Sequence, residues 1–581
     1  MSRKDDWREK TIRRMNRVHA WRASRTKPAM GFVSQPEPKS MGSFAKGRQL
    51  IAGNFLFAGH LVEAPRTSIW DIAPPTPDFA EDLHGFAWLD DLAAVGDVNA
   101  RACTHDWINE WMRRHMNGSG AGWTPDLTGR RLIRWINHAL FFLSGQEAAT
   151  SDAFYKTLAQ QTIFLTRRWH TASEGLPRFE ALTGLIYAGL SLQGMEVHVA
   201  PAVKALAHEC DARIDAMGGL PTRNPEELLE VFTLLTWAAS ALSEAGRVAD
   251  DAHLSALTRI APTLRALRHS DGGLARFHGG GRGADGRLDH ALAASGSREA
   301  AGEGLHMGYL RLHAGRTSII TDAAPPPAVP VSFNAHASTL AFEMTSGRRP
   351  VIVNCGSGAT FGPDWRRAGR ATPSHSTLGI EGFSSSRLGP KTMVGGHLRE
   401  LLVDVPTDVR IEMRDGGKDV GFVGGHNGYV STHGLTHVRQ IDLSHDGRGL
   451  AGEDTLATIT GADEKQFDRM MDRQKLQGIP FQVRFHLHPD VDAELDMGGA
   501  AVSIALKSGE IWVFRHDGRA TLSLERSVYL EKGRLKPRAS KQVVLSAAAM
   551  DYATRVRWTL AKAQETPNTL RDLEMDDETL S

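Results

Sequence analysis

The sequence predicts an α+β multidomain protein, with a helical (α/α) toroid at the N-terminus and an antiparallel β-sandwich at the C-terminus. Three observations carry this. The chain has 581 residues, too many for one core, so about two to four domains are expected. Apolar residues recur at helical spacing from about Ala45 to Ala261. From Tyr309 the period falls to about two, with turn residues between short runs up to about Leu545. The boundaries that follow are a basic N-terminal segment over 1–44, the helical domain over 45–300, the sandwich over 305–560 and an acidic tail over 561–581.

The N-terminal segment alternates charge with Trp7, Ile12, Met15, Val18 and Trp21, the pattern of an amphipathic helix. Its narrow apolar face favours docking on the protein's own surface or on a partner over lying on a membrane. It lacks the continuous run of about 7–15 apolar residues of a signal peptide, which predicts a cytoplasmic location. No run of about 18 apolar residues exists to span a bilayer. Net charge is +1, which gives no electrostatic footprint for nucleic acid. Cys103, Cys210 and Cys355 are odd in number and far apart, so no disulfide framework is expected.

Helices are predicted at Arg131–Phe142, Phe179–Ala188 and Leu228–Leu235, joined by loops such as Gly218-Gly219-Leu220-Pro221. Such paired helices fit an (α/α) toroid. Gly279–Gly286 reads as a mobile loop, and Ala324-Pro325-Pro326-Pro327 as a stiff connection between strands. Strands are predicted at Tyr309–His313, Thr317–Asp322, Val351–Asn354, Ile504–Leu506 and Ile511–Phe514, and within Phe333–Glu343.

Three ligand-type residues, His336, Asn354 and His375, fall near or within consecutive strand-like segments. Neighbouring strands can bring them together, and two histidines with an oxygen donor suit zinc. The alternative is a pair of polar-face histidines that bind nothing.

These segments resemble the heparinase II/III-like polysaccharide lyases. In that family the second histidine of a His-x-His segment, an aspartate ending the next strand and a later histidine hold a structural zinc. His336, Asn354 and His375 match those positions, with Asn334 in place of the first histidine and Asn354 in place of aspartate. His426–Tyr429 followed by His433–Arg439 resembles the family's Gly-Tyr…His-x-Arg strand pair. Arg526–Leu530 and Gln542–Leu545 resemble its closing strands. Trp123-Thr124-Pro125, Arg131 and Trp135 resemble its first helical repeat. The resemblance implies an incomplete toroid, β-elimination on an acidic, uronic-acid-containing polysaccharide or oligosaccharide, a structural zinc and no organic cofactor. It also implies export to the periplasm, against the missing signal peptide, and makes a homodimer plausible.

Such elimination needs a group that neutralises the uronate carboxylate, a base for the C5 proton and an acid for the leaving oxygen. Leu176-Pro177 stands where the family has Asn-His, and Glu227 where it has a tyrosine. Substitutes are therefore sought among Tyr429, His437, Arg223, Asn224 and His278 as catalytic groups. Arg178, Arg366, Arg439 and His433 are the substrate-binding candidates. Each has a structural alternative. Tyr429 can be a tyrosine corner, and His437 and Arg439, alternating on one strand face, can form a polar outer face. Pro225-Glu226-Glu227 can simply start a helix. His138 reads as a satisfied structural histidine, and Arg366, Arg367 and Arg370 as a solvated run. Loss of the family's acid/base set leaves a second function open, a non-catalytic glycan-binding or cell-envelope accessory protein. A hydrolase using Glu226 or Glu227 with another carboxylate is a third.

Overall fold

A computed structural model describes residues 3–27, 29, 31–34, 37–394 and 397–563. The acidic tail therefore lies almost entirely outside the described residues. Two layers of different kind pack end to end, helices over 44–294 and strands over 309–562.

The helical domain is built around inner helices that begin with the same device. Pro77–Gly85, Pro125–Asn137, Leu176–Ser191 and Pro225–Glu244 each carry proline in the first turn. Proline fits there because its missing N–H would have no intrahelical partner. Thr76 and Asn224 cap two of them through side-chain oxygens. Pro125–Asn137 and Leu176–Ser191 lie close because Gly129 and Gly184 face each other; a Cβ on Gly184 would stand 2.5 Å from the Gly129 Cα. The N-terminal helix Arg3–Ala23 docks on the protein's own surface. Gln160 donates to Ala20 O at 2.9 Å and Arg168 to Asn16 Oδ1 at 2.8 Å.

The sandwich has two eight-stranded antiparallel sheets. One runs in the order 409–415, 419–429, 435–444, 449–457, 553–562, 511–516, 501–505, 492–496. The other runs 521–529, 538–549, 479–487, 349–353, 342–346, 317–322, 309–314, with 378–380 paired to 479–487. Leu435–Ser444 alternates buried and half-buried along its whole length, as a strand with one face on a core must. Trp558 fills the centre against Phe342, Phe485 and Phe514.

That core also holds an ion network. His437 and Arg439 occupy the buried phase of Leu435–Ser444, beside Leu435, Ile441 and Leu443. Asp454 faces them, taking Arg439 at 2.8 and 3.1 Å, His437 at 2.8 Å and the Trp558 indole N–H at 3.0 Å. Arg439 also donates to Leu340 O and Ser376 O. Every charge inside is paired and hydrogen-bonded, the condition for tolerating it there.

Three local expectations need correcting. Phe333–Ala341 is not a strand: a 3-10 turn at Val329–Asn334 leads into an irregular segment, and the strand starts at Phe342. Arg370 holds that segment by donating to Ser332 O and Ala335 O. Gly279–Gly286 does not begin as a free loop, since Gly281 N–H donates to Glu226 Oε2 at 2.9 Å. The basic run is not all solvated either, because Arg370 is 3% exposed. Replacing Asp454 by asparagine should cost about 3–5 kcal/mol, because Arg439 is left as an uncompensated buried charge. A urea unfolding midpoint checks this.

Candidate functional site

The start of helix Pro225–Glu244 meets the sandwich, and the seam between the domains forms there. Its centre is Arg223. The residue sits at φ +50, just before the helix cap Asn224, and is 8% exposed. Its guanidinium donates to the carbonyls of Met307, Gly308, Ala324 and Pro325, and to Asp322 Oδ1 at 2.5 Å. Gly308 leaves the room: a Cβ there would stand 2.7 Å from Arg223 Nε. Burial opposes ionisation of Asp322, but Arg223, His278 and the Ser338 hydroxyl outweigh it and hold the carboxyl well below its usual range.

His278 lies 3.4 Å from Asp322 Oδ2, and its Nδ1 accepts the His336 backbone N–H at 3.1 Å. His336 Nδ1 meets His375 Nε2 at 3.0 Å. His375 Nδ1 lies 2.9 Å from Ala371 O, so the proton belongs on Nδ1 and the Nε2 lone pair faces His336. The structure thus brings together two of the three expected zinc ligands. Asn354 is turned elsewhere: its Oδ1 accepts from Ser376 N–H at 3.0 Å and its Nδ2 donates to Glu343 at 3.4 Å. A structural zinc site wants four donors, and two nitrogens fall short. Among the described residues no group of three or more His, Cys, Asp or Glu is placed to hold a metal ion. The donors present do not fit zinc.

The proposed acid/base and substrate groups are mostly occupied. Tyr429 is buried and donates to Leu378 O, and burial pushes its phenol well up. His437 and Arg439 belong to the Asp454 network. His433 is buried against Phe383 and burial lowers it to about 4. Arg178 pairs with Glu209 at 2.7 Å. Asn224 Oδ1 is spent capping its helix at Glu226 and Glu227 N–H. In this structure these side chains, like those of Arg223 and His278, are engaged within the protein. Arg366 does reach the seam, donating to Asn334 Oδ1 at 2.7 Å and Phe333 O at 2.9 Å. His138 pairs with Asp90 at 2.8 Å, the structural role expected.

The toroid also carries a set of buried and half-buried carboxylates, Asp82, Glu180, Glu226 and Glu227, the last two being the hydrolase candidates above. Glu180 Oε1 takes Arg130 at 2.6 Å, while its Oε2 is buried without a partner among the described residues. Burial pushes this carboxyl up to about 7 against the pull of Arg130. Burial also raises Asp82 and Glu227. Burial opposes charge on Glu226 too, but Lys532 at 2.6 Å and the Gly281 N–H keep it ionised. The repeated signature Pro77-Asp78, Pro125-Asp126, Pro225-Glu226 marks three of these helix starts in the sequence. Of this set Glu180, raised to about 7, is the carboxyl placed to exchange a proton near neutral pH.

Comparison with known proteins agrees with this geometry. Residues 297–559 match the family described as heparinase II/III-like, C-terminal. The chain is also 30% identical over 560 residues to FtsZ-localized protein C of Caulobacter vibrioides, covering 92% of this chain and 91% of that one. The protein belongs to the heparinase II/III-like family. Among solved structures, heparinase III superposes with a TM-score of 0.68 at 13% identity, over 94% of this chain and 89% of that one. Heparan sulfate lyase HepC from Pedobacter heparinus gives 0.55 at 13% identity, over 96% and 89%. At such identity these two establish the toroid-plus-sandwich fold alone. No helix among the described residues is long and apolar enough to cross a membrane.

Buried neutral histidines give this family member an acid limit. Burial lowers His84 to about 3 and His486 to about 4, whereas an unfolded histidine titrates near 6.5. Between about pH 6.5 and 4 the unfolded chain gains protons that the folded one refuses, so stability falls as pH falls. Urea midpoints from pH 7 to 5 should drop, and His486→Gln should make the drop shallower.

Proposed function

We propose that the protein is a non-lyase member of its family, an accessory protein that works with the FtsZ-based division machinery at the cell envelope. The observation that carries this is a set of carboxylates near the starts of three toroid helices, one of them at the family's tyrosine position. A lyase acting on a uronate must neutralise the substrate carboxylate before the C5 proton can leave. Here those helices carry Asp82, Glu180, Glu226 and Glu227, and each ionised carboxylate raises the cost of bringing in another. The residues that replace the family's Asn-His and Tyr are Leu176-Pro177 and Glu227, and Asn334 stands for its first histidine. FtsZ-localized protein C, similar over nearly the whole length, supports the division assignment. A neutral glycan is the ligand class these carboxylates tolerate.

A second reading has one observation behind it. Glu227 has a raised pKa and partial exposure, the properties of a general base, so lyase chemistry with a replaced base is a definite alternative.

The test has two arms. Purified protein is incubated with a panel of uronic-acid polymers while near-UV absorbance is followed, since each elimination creates one conjugated double bond. The protein is also co-sedimented with FtsZ polymers. The proposal predicts a flat trace and salt-sensitive co-sedimentation. A rising trace abolished by Glu227→Gln would establish the lyase reading instead, and failure to pellet with FtsZ would remove the division assignment.

A further inference from the structure

On the other edge of the seam is a groove of about 520 Å³. It lies between toroid loops at 268–289 and sandwich turns at 343–353, 488–490 and 529–538. Seven arginines and six carboxylates line it. The carboxylates are committed within the groove: Asp289 to Arg268, Asp490 to Arg538, Asp271 and Asp285 to Arg282, Glu531 to Arg534 and Glu343 to His269.

Arg276 is different. It is 6% exposed and lies 4.0 Å over the Tyr529 ring. Its Nη2 donates to Cys355 O and Leu530 O, while its Nη1 is buried with no acceptor among the described residues. A buried guanidinium nitrogen without an acceptor is costly, and a carboxylate from outside would satisfy it. Arg348 and Arg349 stand at the rim, on the turn between strands 342–346 and 349–353.

The chain supplies such carboxylates close by. The eighteen residues after Ala563 carry Glu565, Asp572, Glu574, Asp576, Asp577 and Glu578 against one cation, Arg571. Their point of departure is beside the groove. Ala563 is held by Arg448 and Ile511, and Lys562 reaches Glu510 at 3.3 Å. Glu510 in turn accepts from Ser346, the residue that opens the Arg348–Arg349 turn. The nine residues from Ala563 to Asp572 span up to about 30 Å when extended, enough to enter a groove of this size from its edge.

We propose that this groove is a docking site for a carboxylate-rich peptide, and that the chain's own segment Asp572–Glu578 is its resident occupant. The inference is independent of the functional reading above, because it uses neither the toroid carboxylates named there nor FtsZ. Tethering makes the tail's local concentration about millimolar, so even a weak site stays filled until a competing acidic partner displaces it.

The test is fluorescence anisotropy with a labelled synthetic peptide of residues 564–581. It is titrated with the full chain and with a chain ended after Ala563, which keeps every described strand. The shortened chain should bind, with affinity falling as salt rises from 50 to 300 mM. The full chain should bind at least tenfold more weakly, because its tail competes. Full-length protein carrying Asp576→Lys, Asp577→Lys and Glu578→Lys should regain the affinity of the shortened chain. Arg348→Glu with Arg349→Glu in the shortened chain should weaken binding at least tenfold with an unchanged circular dichroism spectrum. Equal binding by full and shortened chains, no binding by either, or indifference to the arginine reversal would each overturn the proposal. So would a heparin oligosaccharide that binds both chains alike and is not displaced by the peptide, since the groove would then be a glycan site.

Discussion

The structure depends on one buried ion pair, Arg223 with Asp322. Arg223 belongs to the toroid and Asp322 to strand 317–322 of the sandwich, so the pair crosses the seam. Charges are expensive to bury, and a pair repays that only when its remaining protons and lone pairs are also satisfied. Arg223 meets that condition with four backbone carbonyls, and Asp322 with Ser338 and His278. The positive φ of Arg223 belongs to the same arrangement: a strained backbone persists where its surroundings over-determine it. Through Asp322 the lock continues into His278, His336 and His375, so the residues that most resemble a reactive centre are those holding the two domains together.

This is why the fold was more legible than the site. The switch from helical to alternating period is a property of every few residues, and it announced helices followed by antiparallel sheets. The prolines at Pro77, Pro125, Pro177 and Pro225 announce inner helices one by one. Reading a role from a side chain needs the face it occupies. For His437 and Arg439 that face was in fact written in the sequence, since they keep phase with Leu435, Ile441 and Leu443. Asp454 likewise keeps phase with Leu450 and Leu456. Arg223 and His278 carried no such signal. Their partners are 99 and 44 residues away, and only the seam brings them together.

The proposed function separates family membership from chemistry. The toroid and the sandwich follow the heparinase II/III-like plan, while the toroid helices carry Asp82, Glu180 and Glu227 with raised pKa. A fold keeps its architecture through its core and its seam, and a reaction needs a few groups at the surface of the cleft. Glu226 held by Lys532 is a contact that braces one domain on the other, while Arg366 fixes Asn334 within the sandwich.

The claim that Arg223 and Asp322 couple the domains is tested most directly by calorimetry of Arg223→Met beside the unaltered protein. The account predicts one cooperative unfolding transition in the unaltered chain. In the variant it predicts two separated transitions, with the earlier one lowered by several degrees, because Asp322 is left as a buried unpaired carboxylate. A single transition at an unchanged temperature in the variant would contradict it.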